Sequence, residues 1–471
     1  MRNLKRALSL ALASVMLVGM MVVGTSAASF SDVDSDHNVE AISVLQALGV
    51  MNGYDDGGFH PEANVTRNQM AMIICALLGL DGNDFTGYRP FTDVPDWAAG
   101  AVAACEANGI VGGRGEGIYD GDAYVTGVEA AAMMLRALGY TAMPASENWE
   151  TPVVAKAAEV KLFKDVGAVN GSTFLNRNAV AQVALNALKA DVVNTDKEGD
   201  IIVEGVVTIP GKITYNKVEV NEAGYNAAAS GSNDYKYQQL CEKLYEDDLK
   251  LVTVAAGDDF GRPAHKWTYE NKDVVTVADS ATETYIGGVK TKDIYKDLGL
   301  SDDIPEAKVT VKVDGRAGTG DNAARDIDDD TDTKFGADGQ TVEVFYDKSA
   351  GTVKIAIVSS YLGVVTDDSA KSGDKTGIRI DVSGVGSKFF ETAGGYAEDD
   401  VVLLTMANGD VKEITGEPKT VSGEVTRLGS DKAMTIDGTK YPQADRFGTA
   451  DGSVIKGVAD GSLAVSSTYT L

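Results

Sequence analysis

Residues 48–70, LGVMNGYDDGGFHPEANVTRNQM, recur in outline 60 positions later as NGIVGGRGEGIYDGDAYVTGVEA at 108–130. A short string before each copy is repeated as well, as FSDV at 30–33 and FTDV at 91–94. A fixed period of this length indicates a copied supersecondary unit, and such units bury their apolar faces on one another. The array therefore predicts a modular docking device and not the core of an enzyme.

Each copy predicts two helices joined by a glycine-rich loop. The second helix follows Thr66 in the first copy and Thr126 in the second, and each threonine has a Gln or Glu three residues later, which completes a capping box. Behind each cap, apolar residues follow the spacing of an amphipathic helix. A third copy keeps this stripe over 180–188, with a helix at 150–162 in the first-helix role, although it lacks the opening string.

The N-terminal residues have the pattern of a secretory signal peptide. Three basic residues precede an apolar run, and the small residues at 24–28 supply a cleavage site. A retained membrane anchor is the alternative, and no later apolar run is long enough to span a membrane. The formal net charge of −28 argues against nucleic acid and anionic membranes as partners. This negative charge fits an extracellular protein, and divalent cations that bridge carboxylates are a secondary expectation.

Three cysteines, Cys75, Cys105 and Cys241, are too few for a disulfide framework. Cys75 and Cys105 fall on apolar helix faces, where a thiol behaves as a small hydrophobe, so we expect both to be free. A Cys75–Cys105 disulfide is the alternative, because secreted proteins permit it.

From residue 201 the hydrophobic period changes to two, which is typical of strands. Helices are expected among them at 234–246 and 291–299, and from about 366 the pattern is purely β with Asn-Gly and Asp-Gly turns. The last residues form an alternating strand, so we expect that the natural architecture could continue. The predicted fold is multidomain, with an all-α array followed by α+β and β-rich modules. The predicted limits are a signal peptide at 1–28, repeats at 29–88, 89–147 and 148–192, an α+β module at 193–365 and a β-rich module at 366–471.

The repeats resemble the S-layer homology (SLH) domains of bacterial surface proteins. That family has an aromatic-x-Asp-Val opening, a helix, a Gly-Tyr-x-Asp-Gly-x-Phe loop and Thr-Arg-Ala-Glu at the second helix. Here FSDV, GYDDGGF and TRNQ carry the resemblance in the first repeat, FTDV, GIYDGDAY and TGVE in the second, and NRNA with the helix stripe in the third. The resemblance covers residues 30–190. The resemblance implies a pseudo-threefold spindle of helical hairpins whose grooves hold secondary cell wall polysaccharide, often pyruvylated, on Gram-positive walls.

Carried over residue by residue, the resemblance implies that glycan is bound by Asp32, Tyr54 and Arg67 in a groove of the first repeat, by Asp93 in the second repeat and by Arg177 in the third. The chemistry is consistent, because pyruvate ketals carry a carboxylate and a guanidinium grips a carboxylate with two parallel hydrogen bonds. The second repeat has Gly127 where the family has arginine, so we expect one or two working grooves and not three. A purely structural role is the alternative, in which Arg67 covers a helix start and Asp32 caps a turn.

Catalytic motifs are absent from the sequence, since no GxSxG, HExxH or CxxC pattern occurs. The acidic run DIDDDTDTKFGADG at 326–339 is the one candidate for a metal. It departs from the EF-hand pattern at Thr333 and Gly339, so we expect a solvated loop, with Ca²⁺ as the secondary interpretation and no other cofactor. The Ca²⁺ ligands it offers are Asp326, Asp328, Asp330 and Asp332.

From the resemblance we expect a non-enzymatic, secreted cell-surface protein. The repeats would hold it non-covalently on secondary cell wall polysaccharide, and the later modules would be structural or adhesive, with self-assembly into a surface lattice as an option. The alternative is a wall-anchored polysaccharide-degrading enzyme with two catalytic carboxylates after residue 195. Trp267 is the only tryptophan there, which argues against a sugar cleft. A third hypothesis is an envelope-assembly or sporulation factor that uses the repeats for placement.

Overall fold

The computed structural model divides into two compact units. The N-terminal unit comprises residues 24–253 and 266–276, and the C-terminal unit comprises 1–23, 254–265 and 277–471. Of the predicted signal peptide only the short strand β1, Val22–Val23, is described, so that prediction lies outside the described residues. The structure describes 22–23, 30–416, 422–428, 433–442 and 468–470, except for gaps at 31, 34–36, 86, 142–148, 168, 170–171, 199–200, 204–206, 210, 221–235, 247, 374 and 393–394.

Six helices of the N-terminal unit form three consecutive pairs, one pair in each predicted repeat. The main helix contacts join neighbouring repeats, because the second helix of one repeat packs on the first helix of the next. The helices are α1 (Val39–Ala47), α2 (Arg67–Leu77), α3 (Asp96–Ala107), α4 (Gly127–Ala137), α5 (Glu150–Glu159) and α6 (Arg177–Leu188), with a 3-10 turn at Gly82–Phe85. Thus α2 packs on α3, α4 packs on α5, and α6 packs on α1.

A ring of backbone hydrogen bonds joins the three extended segments that precede α2, α4 and α6. The Val65 N–H donates to the Leu175 carbonyl, Leu175 donates to Val125, and Val125 donates to Val65. All three side chains are buried. Because the ring closes, the starts of the three second helices lie around a common centre.

The caps predicted from the sequence are present. Thr66 and Thr126 each complete a capping box, and in the third repeat Asn176 accepts a hydrogen bond from the Ala179 N–H. The expected apolar stripes are buried in α2, α4 and α6, except for the partly exposed Ala137 of α4. In α5, Val153 and Ala157 are buried, whereas Val154 is 41% exposed.

The three cysteines are free and buried, as expected. The Cys105 thiol donates to the Ala71 carbonyl, and the Cys75 thiol donates to the Leu80 carbonyl. Burial raises the pKa of Cys105 and of Cys241 to about 12. Such thiols stay protonated and act as small hydrophobes.

The rest of the N-terminal unit mixes strands with one short helix. The elements are β2 (Val193–Lys197), β3 (Ile201–Val203), β4 (Val207–Ile209), β5 (Ile213–Lys217), α7 (Leu240–Tyr245), β6 (Leu249–Val254), β7 (Ala264–Tyr269) and β8 (Lys272–Ala278), of which the last three each have one or two end residues assigned to the other unit. β2 pairs with β5, β3 pairs with β4, and β8, β7 and β6 are neighbours in that order. The predicted helix at 234–246 is shortened to α7, because Tyr237 and Gln239 are extended and bridge to Glu219 and Asp191.

The C-terminal unit is rich in strands. Its described elements are β9 (Glu283–Ile286), β10 (Val289–Lys290), α8 (Thr291–Asp297), β11 (Val309–Val313), β12 (Arg316–Ala317), β13 (Lys334–Phe335), β14 (Gln340–Asp347), β15 (Thr352–Ser372), β16 (Lys375–Val382), β17 (Gly386–Glu391), β18 (Val401–Ala407), β19 (Asp410–Gly416), β20 (Ser422–Leu428), β21 (Ala433–Ile436), β22 (Thr439–Pro442) and β23 (Thr468–Thr470), with 3-10 turns at Glu306–Lys308 and Gly320–Asn322.

The 21-residue strand β15 organises this unit. Its first part pairs in parallel with β11 and antiparallel with β14, and its second part pairs with β16 and β18. One core forms around Val342 and Ile355, and a second forms around Ile380 and Leu404. The predicted module boundary between 365 and 366 falls inside this strand, where the second core begins. The exact domain limits stay a prediction.

Candidate functional site

Two aspartates fix the loops of the first two repeats. The carboxylate of Asp32 accepts from the N–H groups of Phe59 and His60 at 2.8 and 2.7 Å. Asp93 accepts from Tyr119 and Asp120 at the same two distances. Burial acts to raise the pKa of Asp93, but the two N–H donors and the charge of Arg67 lower it. Both aspartates thus hold loop shape, which is the structural role considered for Asp32 above.

Arg177 lies against the loop of the first repeat. Its Nε donates to the Phe59 carbonyl at 2.8 Å, and its Nη2 donates to the Asn52 carbonyl at 2.7 Å. The guanidinium lies 4.9 Å from the ring centroid of Tyr54 and 4.4 Å from that of Phe59. Tyr54 is 44% exposed and contacts the His60 ring. We call the loop 52–60 together with Arg177 groove A.

Arg67 lies against the loop of the second repeat. Its Nε donates to the Tyr119 carbonyl at 3.2 Å, and its Nη2 donates to the Gly112 carbonyl at 3.1 Å. Its Nη1 donates to Glu129 Oε1 at 2.7 Å, and Arg114 Nη2 reaches the same oxygen at 2.8 Å. Arg67 is only 4% exposed. We call the loop 112–120 together with Arg67 groove B.

The predicted site residues therefore fall into two groups. Asp32, Tyr54 and Arg177 meet in groove A, and Asp93 meets Arg67 in groove B. We expected Arg67 to share a groove with Asp32 and Tyr54 of the first repeat. In the structure, Arg67 instead contacts the loop of the second repeat, and Arg177 of the third repeat contacts the loop of the first. The ring of backbone hydrogen bonds decides which repeats are neighbours, and the order along the chain does not.

Sequence reasoning missed several neighbours of these arginines. Gln69 and Glu129 were assigned only to helix caps. Arg114 was not singled out, although it stands 60 positions after Tyr54 in a loop that contains no other basic residue. At the third loop, Gly127 takes the position that Arg67 and Arg177 have at the other two loops, and its N–H donates to the Thr173 carbonyl.

The four aspartates proposed for Ca²⁺ are bonded to other groups of the protein, and Asp328 and Asp330 share Thr331 as a partner. Asp326 accepts from the Glu306 N–H at 2.6 Å, Asp328 from the Thr331 N–H at 2.8 Å, and Asp330 from the Thr331 hydroxyl at 3.4 Å. Asp332 pairs with Lys292 and Lys290, which lower its pKa to about 2. Across the part of the chain that the structure describes, no group of three or more His, Cys, Asp or Glu side chains is placed to hold a metal ion. Ca²⁺ binding at this loop stays a prediction.

The first two repeats, which carry the loops of both grooves, match a known family, whereas Arg177 lies outside the matched residues. The model of the S-layer homology domain matches residues 29–71 and 90–131, which include both opening strings, both loops and both capping boxes. The chain carries S-layer homology domains. The third repeat lies outside the matched residues, although it retains a capped helix with a buried stripe.

Proteins similar to this chain include surface proteins and, over a shorter stretch, an enzyme. A cell surface protein of Thermoanaerobacter kivui is 27% identical over 265 residues, which are 55% of this chain and 33% of that protein. A surface layer protein of Brevibacillus choshinensis is 26% identical over 56% of this chain and 27% of its own length. An amylopullulanase of Thermoanaerobacterium thermosulfurigenes is 28% identical over 30% of this chain and 8% of its own length. The chain thus spans a third or less of these relatives.

Within the described residues, no helix has both the length and the hydropathy that a membrane crossing requires.

Proposed function

We propose that the N-terminal unit anchors this secreted protein non-covalently to an acidic polysaccharide of the bacterial cell wall. The SLH domains and the surface-layer relatives support a location at the cell wall or S-layer. The observation that carries the proposal is Arg177, held at a half-exposed groove over two aromatic rings of the neighbouring repeat. A guanidinium there can bind a sugar carboxylate, and an exposed tyrosine gives the sugar ring an apolar face.

The three repeats act as one device in this proposal. We propose a pseudo-threefold arrangement, supported by the closed ring through Val65, Val125 and Leu175 and by the packing of each second helix on the next repeat. Each groove then needs two repeats, one for the loop and one for the arginine. Anchoring would therefore fail in a single isolated repeat.

We propose that the C-terminal unit is a non-enzymatic structural or adhesive module that can take part in a surface lattice. The names of the first relatives support this. The alternative is a wall-anchored polysaccharide-degrading enzyme, and the amylopullulanase relative favours it. The shared part is, however, 8% of that enzyme. Release of reducing sugar from purified wall polysaccharide by the full chain would favour the enzyme and contradict the structural proposal.

The anchoring proposal is tested by co-sedimentation with walls whose polysaccharide carries pyruvate ketals. The unchanged protein is compared on native walls and on walls from which mild acid has removed the ketals. We expect binding to fall about tenfold or more on the stripped walls, because a charge-assisted interaction is lost. Equal sedimentation with both kinds of wall, or with neither, would contradict recognition of an acidic carbohydrate.

A further inference from the structure

The three repeats meet at three equivalent junctions. At each one, the first residue of a capped helix donates its backbone N–H to a carbonyl of the neighbouring repeat. The pairs are Arg177 with Ala63, Arg67 with Ala123, and Gly127 with Thr173. The first two junctions belong to grooves A and B, and we call the third one junction C. At junction C a glycine therefore stands where the other two junctions have an arginine side chain.

The residue that follows each accepting carbonyl also differs among the junctions. These residues are Asn64, Tyr124 and Phe174, and all three are exposed, because the next residue of each segment turns its side chain into the buried ring. The rings of Tyr124 and Phe174 lie 5.7 Å apart between centroids, with 60° between their planes. Phe174 also forms a β-bridge with Thr126, which directly precedes Gly127. An aromatic pair thus stands at junction C, where the arginine is missing.

The surface of this pair is small. Tyr124 is 46% exposed and Phe174 is 53% exposed. Since a whole aromatic side chain has about 150–250 Å² of surface, the two exposed parts together offer about 200 Å² to a ligand. A stable contact between two proteins needs about 800 Å² on each side, so the pair is too small for a protein partner. Its size matches the face of a single sugar ring.

The chemistry of junction C suits an uncharged sugar. One face of a pyranose ring carries C–H groups, and an aromatic ring can cover such a face and remove it from water. The Tyr124 hydroxyl can in addition exchange hydrogen bonds with the hydroxyl groups of the sugar. A carboxylate gains nothing at this place, because Gly127 has no side chain that could pair with it.

We propose that Tyr124 and Phe174 form an aromatic platform that stacks on an uncharged sugar ring of the wall polysaccharide. The inference rests on the proposed function, because it adds an uncharged subsite for the same polymer. Tyr124 directly follows the residue whose carbonyl accepts from the Arg67 N–H, so the platform is continuous with groove B. One polymer chain can therefore contact both.

The test replaces both rings by asparagine, which the first repeat has at the equivalent position. Purified wall polysaccharide is titrated calorimetrically into the full chain, once with its pyruvate ketals and once after mild acid has removed them. We expect Tyr124→Asn/Phe174→Asn to bind each form about tenfold more weakly than the unchanged protein, because contact with an uncharged sugar does not depend on the ketal. The melting temperature should stay the same, because both rings are exposed.

The matched control is Tyr88→Asn. Tyr88 has the same exposed fraction as Tyr124, 46%, and lies outside the three segments of the ring. This variant should bind both forms of the polysaccharide like the unchanged protein.

Several outcomes would overturn the platform while the anchoring function stands. The double variant could bind both forms like the unchanged protein, or bind only the ketal-bearing form more weakly. A lowered melting temperature would assign the pair to packing between repeats. A dimer of the unchanged protein that the double variant loses, seen by sedimentation velocity, would assign the pair to a contact between copies. If the unchanged protein binds neither form, the proposed function itself is overturned.

Discussion

Glu129 connects two repeats through a single carboxylate. One oxygen accepts from the N–H of its own helix cap, and the other pairs with Arg67 and Arg114. Burial acts to raise the pKa of Glu129, but the hydrogen bonds from Arg114 and Thr126 and the charge of Arg67 together lower it below the ordinary value of 4.5. A carboxyl with a lowered pKa in the folded state stabilises that state only while it is ionised.

We expect Glu129→Gln to lower the free energy of unfolding by about 3 kcal/mol at pH 7, because Arg67 keeps its buried charge and loses its partner. The folded pKa lies below the unfolded one, so this difference should be complete above pH 4.5 and should shrink as pH falls further. Urea unfolding of both proteins between pH 7 and pH 3 measures it. A difference that stays constant over that range would assign the loss to packing and not to charge.

At the scale of the element, two helix ends that match in sequence have different surroundings. α2 and α4 are each followed by a leucine and a glycine with positive φ, Gly79 at +62° and Gly139 at +104°. A Cβ on Gly79 would meet nothing, whereas a Cβ on Gly139 would overlap the Val193 carbonyl oxygen. The Val193 N–H donates to the Leu138 carbonyl, so the chain after the repeats is bonded to the end of α4.

These two glycines form a matched pair of substitutions. We expect Gly79→Ala to cost about 1 kcal/mol for the left-handed backbone alone. Gly139→Ala should cost about 1–3 kcal/mol more, since the Val193 backbone must move. Chemical denaturation of each variant gives the two values. Equal losses would show that the strand after the repeats adapts without cost.

The elements that were predicted correctly have local signals. Thr66 and Gln69 are three residues apart, so their capping box depends on no other part of the chain. The helix expected at 234–246 was too long for the opposite reason, because Tyr237 and Gln239 are held extended by partners far away in sequence. A helical period cannot be told from such pairing when the partner is unknown.

The same limit applied to the candidate site. The motifs identified Arg67 and Arg177 as residues of interest, but which loop each one meets depends on how three repeats close into a ring. Spacing along the chain carries no information on that closure. The contact of Glu129 with Arg67 could not be predicted either, because the capping box alone accounts for a glutamate at this position.

At the scale of the whole molecule, the N-terminal unit extends beyond its repeats. Residues 266–276 belong to it, although 254–265 belong to the other unit. Trp267 is fully buried there, and its Nε1–H donates to Glu40 Oε1 at 2.7 Å. Lys189 Nζ lies 2.6 Å from the same oxygen and 5.5 Å from the centroid of the indole. Glu40 lies in the first repeat and Lys189 directly follows α6, so one indole joins the beginning and the end of the array.

This arrangement predicts that the repeats and the returning segment unfold together. Trp267→Ala should destabilise the unit by about 3–5 kcal/mol through the cavity it leaves. The loss should be visible in the helical circular dichroism, because most described helices are in the repeats. Trp267→Phe should cost less stability, since Glu40 still pairs with Lys189 when the indole N–H is gone.

Trp97→Ala is the control, because that side chain is 57% exposed and surface changes stay within about 0.5 kcal/mol. Helical melting that is unaltered in Trp267→Ala would mean that the repeats fold without the returning segment.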